Sequence, residues 1–192
     1  MALWGSQVRI LSAPPKTKSV GSTLSSEASG PAVAVAGEGV CGMEIITLRP
    51  ALESDSSSIA DLNGQLGYSA SPAVVRERLL RILAREEDCL RVAILEDGRM
   101  AGWIHAQLSQ WLESDFRAEI GGLVVDTTLQ RRGVGTHLVA AVADWARSRG
   151  AVDLSVRCQI HRTEAHAFYA AQGFRRTKSQ HVFRRPLNEE AT

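Results

Sequence analysis

Residues 118–150 read AEIGGLVVDTTLQRRGVGTHLVAAVADWARSRG. The apolar run at 119–125, closed by the turn formers at 126–128, predicts a short buried strand. Apolar residues then recur every three or four positions between Val134 and Ala146, which predicts one face of a helix that ends at Gly150. A strand, a glycine-containing turn and a helix in immediate succession are typical of a loop that binds phosphate groups at a helix N-terminus.

The turn itself, QRRGVG at 130–135, favours a pyrophosphate ligand. Gly133 and Gly135 leave no side chain over the first helical turn, so its unpaired N–H groups can face an anion. Arg131 and Arg132 offer cationic partners for phosphate oxygens. On its own the pattern also fits a solvated basic turn around a left-handed glycine. The spacing excludes a P-loop, which needs a lysine after its second glycine, and a dinucleotide fingerprint, which needs a third glycine.

A second motif follows at 154–174, where a predicted strand leads into a predicted helix with a glycine cap. Together the two motifs resemble those of the GNAT superfamily of acetyl-CoA-dependent N-acyltransferases. The likeness is greatest to small-molecule members such as aminoalkylphosphonate and aminoglycoside acetyltransferases. The positions that carry it are Gln130, Gly133, Gly135, Ala165, Phe168, Tyr169, Gly173 and Phe174. The resemblance covers 43 to about 187, because 46–51 fit the first strand of the family and 182–187 fit its last.

The resemblance implies an α/β (α+β) fold with a mixed, mostly antiparallel, twisted sheet, helices on both faces and a splayed central strand pair. From residue 43 onward the patterns predict strand, helix, helix, three strands, helix, strand, helix and strand. Asp55 is expected to cap a helix at 56–65, and Ser71 with Pro72 to start the next helix. The dipeptide at 97–98, Asp-Gly, predicts a hairpin turn.

Acetyl transfer needs a base for the amine, stabilisation of the tetrahedral oxyanion and a proton for the departing thiolate. The resemblance implies that Glu119 is the base, directly or through a water molecule; a solvated carboxylate at the sheet edge is the alternative. It implies that Tyr169 protonates the thiolate; a packed aromatic with a hydrogen-bonded hydroxyl is the alternative. No metal site is expected, since the histidines lack ligand spacing.

Acetyl-CoA is the implied co-substrate. Members of the superfamily leave the edge of the motif strand unpaired, so backbone groups of Leu123 and Val125 would meet the oxyanion and the pantetheine amides. The glycines at 121–122 would allow the bulge that this needs, and a bulky residue at Gly135 is expected to obstruct the pyrophosphate. Many members have Asn where this chain has Arg162, which either reaches the pyrophosphate or is solvated at the helix start. The expected cofactor-binding positions are Leu123, Val124, Val125, Gln130, Arg131, Arg132, Gly133, Val134, Gly135, Thr136 and Arg162.

These features predict an N-acetyltransferase that moves an acetyl group from acetyl-CoA to a primary amine of a small molecule, by direct attack in a ternary complex. A protein N-terminus or lysine is the alternative acceptor, and a non-catalytic acyl-CoA-binding regulatory module is the alternative of another class. His166 either touches the acceptor or is structural. The acceptor pocket is expected between 62–68 and 109–116, with Tyr68, Trp111, Glu113 and Asp115 near it.

Length and composition fit one domain at 43–192 in a reducing compartment. The chain has 192 residues and a formal net charge of +1, so charge alone implies no strongly acidic or basic partner. Cys41, Cys89 and Cys158 contain no CxxC pair, which argues against a disulfide framework or a zinc site and suits the cytoplasm. No stretch has the roughly 18 apolar residues of a membrane helix. We expect a cytoplasmic protein without membrane or nucleic-acid partners, and a homodimer stays open.

Residues 1–42 are rich in Ser, Gly, Ala and Pro and show no sustained period, so a disordered or non-native extension is expected. A signal peptide is the competing interpretation, although the start lacks a basic region that leads into a compact apolar stretch. A third interpretation is a miscalled start upstream of Met43. Back-translation shows that the sequence GTTCGAATCCT would encode residues 8–11, VRIL, and it contains the usual T-arm sequence of a transfer RNA gene.

Overall fold

The computed structural model describes residues 45–187 and the backbones of two short strands before them. Apart from these two strands, the segment 1–42, which is predicted to be a disordered or non-native extension, lies outside the described residues. The strands and helices in chain order are β1 (Val8–Arg9), β2 (Val33–Ala34), β3 (Ile46–Pro50), α1 (Ser56–Gln65), α2 (Pro72–Leu83), β4 (Asp88–Leu95), β5 (Met100–Trp111), β6 (Ser114–Val125), α3 (Val134–Ser148), β7 (Leu154–Val156) and α4 (Thr163–Ala171), with short 3-10 helices at Glu53–Asp55 and Thr127–Leu129.

The strands form one sheet in the order β1-β6-β5-β4-β3-β2, and β7 also pairs with β6. The four pairings from β2 to β6 are antiparallel, whereas β1 and β7 run parallel to β6. β7 pairs with β6 only from Ala118 to Ile120, while β6 continues to Val125. The sheet is therefore mixed and mostly antiparallel, and the β6–β7 pair opens at the middle of β6, as predicted.

The core has two parts because β4, β5 and β6 are covered on both faces. Side chains alternate across a strand, so Cys89 and Ala93 of β4 pack in a cluster with α3 and α4. Leu90 and Val92 pack in a second cluster with α1 and α2. Burial on both faces explains the near-continuous apolar runs of these strands, and it confirms the prediction of helices on both sides of the sheet.

Several local predictions are confirmed. α1 spans Ser56–Gln65, the predicted range. α2 begins at Pro72, and the hydroxyl of Ser71 accepts a hydrogen bond from the Val74 N–H at 3.4 Å. Gly98 adopts a φ of +83° in the hairpin turn between β4 and β5, a conformation that favours glycine.

Asp55 occupies the N-cap position of α1, as predicted, but its side chain makes no cap hydrogen bond and instead accepts hydrogen bonds from Arg49 at 2.7 and 2.8 Å. Another prediction is wrong. The strand expected at 182–187 does not form, and Phe183 is 91% exposed. Pro186 lacks the N–H that a strand pairing needs, and β7 presents an edge of only three residues. Within the described part of the chain, no helix is long and apolar enough to cross a membrane.

Candidate active site

The loop between β6 and α3 has the backbone conformation of an anion-binding turn. Arg131 has a φ of +65°, unusual for a residue with a side chain, and Gly133 follows with a φ of +80° as the N-cap of α3. Left-handed residues next to a helix start turn consecutive N–H groups toward one side. Arg131 is exposed beside them. The loop can therefore present backbone donors and a guanidinium to one anionic group.

Contacts before the turn fix its position on the sheet. The Asp126 N–H donates to the carbonyl of Ala101 at 2.8 Å. Its carboxylate accepts from the Thr128 N–H at 2.8 Å and from the side-chain amide of Gln65 at 3.1 Å. The side-chain amide oxygen of Gln65 in turn accepts a hydrogen bond from the Thr127 N–H at 3.0 Å. The end of α1 and the end of β6 are thus joined at the loop.

Three buried polar atoms around the loop lack a hydrogen-bond partner among the described residues: Gln130 Nε2, His137 Nδ1 and the Tyr169 hydroxyl. A buried polar group without a partner costs free energy. Such groups commonly belong to a site that a ligand completes. Two of the three residues, Gln130 and Tyr169, are ones that the motifs singled out. The Gln130 amide and the Tyr169 hydroxyl are therefore hydrogen-bond donors that the described residues leave unused.

Tyr169 lies on α4 and is only 4% exposed. Its ring makes edge-to-face contacts with Phe168 and Phe174, with centroids 5.2 Å apart in each case. Burial, and secondarily the neighbouring Cys158, raises the pKa of Tyr169 far above its ordinary value. The hydroxyl therefore keeps its proton at neutral pH and can donate it only to a strongly basic atom.

Glu119 lies on β6 opposite Gln107 of β5. Its Oε1 is 2.5 Å from Nε of Arg157, and the carboxylate side chain is 19% exposed while the arginine is 69% exposed. The alternative of a freely solvated carboxylate therefore does not describe Glu119. The exposed arginine is a partner that an incoming cation can replace, since exposed ion pairs contribute only about 0–1 kcal/mol.

The edge of β6 differs from the expectation that it is unpaired. Leu123 and Val124 pair with Val8 and Arg9 of β1 in parallel register. The physical reason is the opening of the β6–β7 pair, because it leaves backbone donors and acceptors that attract another strand. The bulge expected at the glycine pair is present: His105 pairs with Gly122 and Ala106 with Ile120, which leaves Gly121 between them.

Gly135 also has a packing role. A Cβ atom there would lie 3.3 Å from the ring of Phe168 and 3.7 Å from Val125. The missing side chain thus permits close packing of α3 against α4. The hydroxyl of Thr136, the next residue, accepts a hydrogen bond at 3.1 Å from the side-chain amide of Gln172, the C-cap residue of α4.

The remaining predicted residues lie around the start of α4 and at the hairpin. Arg162 is half-buried and occupies the N-cap position of α4. The ring of His166 lies 3.0 Å from the Gln159 carbonyl, a structural contact. Trp111 ends β5 and is 57% exposed. Glu113 and Asp115 are exposed at the hairpin.

Sequence reasoning missed two polar residues on the face that carries α1 and α2. Asp88 and His105 lie on adjacent strands, with Asp88 Oδ1 3.1 Å from His105 Nε2. Glu119 belongs to the same face, since its partner Gln107 is two residues from His105. The available signal was the alternation of Trp103, His105 and Gln107 in a strand that is otherwise apolar.

A mostly antiparallel sheet that opens at β6, a loop with left-handed residues before α3 and a buried tyrosine on α4 are the features expected of a coenzyme A-dependent acyltransferase. Comparison with known proteins agrees. Residues 59–174 match the acetyltransferase (GNAT) family. An aminoglycoside N(6')-acetyltransferase type 1 of Stenotrophomonas maltophilia is 30% identical over 149 residues, which are 76% of this chain and 96% of the relative.

Two further proteins are similar. An aminoglycoside N(6')-acetyltransferase type 1 of Klebsiella aerogenes is 26% identical over 147 residues, covering 73% of this chain and 96% of its own. The crystal structure of the aminoglycoside 6'-N-acetyltransferase AAC(6')-Ih of Acinetobacter baumannii superimposes with a TM-score of 0.66 at 18% identity, covering 74% of this chain and 99% of that structure. The chain belongs to the acetyltransferase (GNAT) family, and it is an acyltransferase with acetyl-CoA as co-substrate.

Proposed function

We propose that the protein acetylates a primary amine of an aminoglycoside-class small molecule by direct attack on acetyl-CoA in a ternary complex. The observation that carries this is the relative at 30% identity, which is matched over 96% of its length and is an aminoglycoside N(6')-acetyltransferase. The chemistry of the acceptor face supports it. Glu119 places a partly exposed carboxylate on the sheet face that carries α1 and α2, and a polycationic amine is attracted by a carboxylate.

Glu119 is the proposed base, acting directly or through a water molecule. The ammonium of the acceptor takes the place of the Arg157 guanidinium beside Glu119 and gives up a proton there. The neutral nitrogen then forms a C–N bond with the acetyl carbon. Backbone groups at Leu123 and Val125 are the proposed partners of the oxyanion, once β1 leaves the edge of β6.

Tyr169 is the proposed acid. The C–S bond breaks with its electron pair on sulfur, and the phenol supplies the proton that this sulfur gains. A phenol whose pKa is raised by burial holds its proton until a strong base forms next to it, which suits a group that acts late.

The loop from Gln130 to Thr136, the backbone at Leu123, Val124 and Val125, and the side chain of Arg162 are the proposed cofactor-binding positions. The left-handed residues and the orphaned Gln130 amide support this assignment.

We also propose the domain boundary at Met43 and a cytoplasmic location. The unpaired thiols of Cys89 and Cys158 support a reducing compartment. A homodimer is tested by light scattering, and a nucleic-acid partner finds no support in the net charge of +1.

The activity is tested by release of free coenzyme A thiol with a panel of amines. The panel contains aminoglycosides that carry either an amine or a hydroxyl at the 6' position, together with polyamines, aminophosphonates and peptides. Transfer to the 6'-amines and not to the 6'-hydroxyl compounds is the expected result. Transfer only to peptides would favour the protein acetyltransferase, and binding of acetyl-CoA without any transfer would favour the non-catalytic module.

Two variants test the assigned roles. Tyr169→Phe should lower kcat by about 100-fold, the low end for general acid catalysis, with unchanged acetyl-CoA affinity by calorimetry. Glu119→Gln should lower kcat/KM and alter its pH profile, also without a change in acetyl-CoA affinity. The assignment of either residue fails if its variant keeps the rate and pH profile of the parent protein.

A further inference from the structure

His105 lies on β5 where β6 bulges, and a buried carboxylate orients its ring. Its Nε2 is 3.1 Å from Oδ1 of Asp88, whose side chain is 2% exposed. Nε of Arg85 lies 3.0 Å from the other carboxylate oxygen, in ion-pair contact. An ionised carboxylate only accepts hydrogen bonds, so Nε2 of His105 carries the proton. Nδ1 therefore keeps the basic lone pair.

That lone pair faces the bulge next to Glu119. A Cβ atom at Gly121 would lie 3.4 Å from His105 Nδ1, and Gly121 is the exposed, unpaired residue of the bulge. Glu119 and His105 are diagonal neighbours on one face, because Gln107 pairs with Glu119 and lies two residues from His105. Diagonal neighbours of an antiparallel pair are about 7–8 Å apart at the backbone, a distance that two side chains and one water molecule can bridge.

The surroundings of His105 keep the ring neutral. Burial lowers the pKa of His105 below its ordinary value, and this outweighs the opposing effect of the hydrogen bond that His105 donates to Asp88. The charged groups on the β4 side are Asp88 and Arg85. On the β6 side they are Glu119 with its partner Arg157, and then Arg117. A neutral imidazole with a free lone pair can accept a proton at neutral pH.

Resting on the proposed acetyl transfer, we propose that His105 is the terminal proton acceptor of the reaction and that Asp88 is its positioning residue. As the C–N bond forms and the C–S bond breaks, the proton lost by the amine nitrogen passes through Glu119 to Nδ1 of His105. The sulfur gains the proton of Tyr169. The ammonium has by then released its first proton through Glu119 to solvent, so nitrogen loses two protons in all and sulfur gains one. Exchange with solvent then restores His105 and Tyr169.

The test compares pH profiles of kcat/KM for the full chain. His105→Gln can still donate to Asp88 through its amide but has no basic nitrogen. We expect a loss of about 100-fold, in the range of a general base, with the acid limb of the profile moved and the KM for acetyl-CoA unchanged. Asp88→Asn should give a smaller loss and also move the acid limb. His181→Gln, an exposed histidine of the C-terminal segment, is the matched control and should behave as the parent protein.

Ring nitrogen NMR of the full-length protein gives a readout independent of turnover. At neutral pH the resonances of His105 should show a proton on Nε2 and none on Nδ1, and Asp88→Asn should shift them. A proton on Nδ1 would overturn the proposal whatever the activity. If the parent protein transfers acetyl groups and His105→Gln keeps its rate and pH profile, only the role of His105 is refuted. If the folded parent protein transfers an acetyl group to no amine, both the proposed function and the proposed role of His105 are refuted.

Discussion

At the scale of the residue, Asp55 shows how a buried carboxylate is kept ionised. Burial favours its neutral form, but hydrogen bonds from Arg49 and from the Leu52 N–H at 2.7 Å outweigh burial and leave the pKa of Asp55 lowered. A pKa that is lower in the folded state stabilises the fold at neutral pH, and this stability is lost as pH falls through the folded-state value. Asp55→Asn should therefore lower the free energy of unfolding at pH 7 by about 2 kcal/mol, measured by urea denaturation.

Asp61→Asn is the control, because Asp61 is exposed on the same helix α1 and should change stability little. The difference in free energy of unfolding between the Asp55 variant and the parent protein should become smaller as the pH is lowered toward the acid range. Equal stability of variant and parent at pH 7 would show that the Arg49–Asp55 pair contributes nothing. The sequence located the helix start next to Asp55, but it could not show that Arg49, on a separate strand, takes the carboxylate.

At the scale of the element, Gly135 lets α3 pack closely against α4, and it also belongs to the proposed cofactor loop. A larger side chain there would push against Phe168, which is 8% exposed and makes an edge-to-face contact with Tyr169. Gly135→Val should lower the free energy of unfolding by about 1–3 kcal/mol, the usual cost of overpacking. Thermal and urea unfolding measure it. Gly64→Val is the control, since a Cβ at Gly64 on α1 meets nothing within 4 Å; equal effects of the two substitutions would contradict the packing role.

Elements with their own periodic pattern could be predicted, as α1, α2 and the Asp97–Gly98 hairpin show. Features that depend on strand register could not be predicted from the sequence. The Asp88–His105 contact joins residues 17 apart and the Arg157–Glu119 pair joins residues 38 apart, and each needs two strands in one alignment. The predicted last strand failed for a related reason: an apolar stretch becomes a strand only where an edge is available to pair with it.

At the scale of the whole molecule, the family motifs occupy two regions that the fold brings to one place. The start of α3 lies against α4, where Gly135 packs on Phe168, the residue before Tyr169, because α3 and α4 lie on the same face of the sheet. The acceptor face is the opposite one, with α1 and α2. A net charge of +1 gives a polycation no long-range attraction. Recognition of the acceptor is therefore expected to depend on the local carboxylate of Glu119.

The pairing of β1 with Leu123 and Val124 leads to the last prediction, which concerns the first part of the chain. The backbone groups of β6 that pair with β1 are the ones proposed to meet the pantetheine amides, so the two compete. A chain that begins at Met43 should bind acetyl-CoA more tightly than the full-length protein in calorimetric titration. Replacing both Val8 and Arg9 by proline keeps the length but removes their N–H donors, and it should tighten binding as the truncation does. Equal affinities of all three proteins would mean that β1 does not obstruct the cofactor, and weaker binding after truncation would mean that the segment assists it.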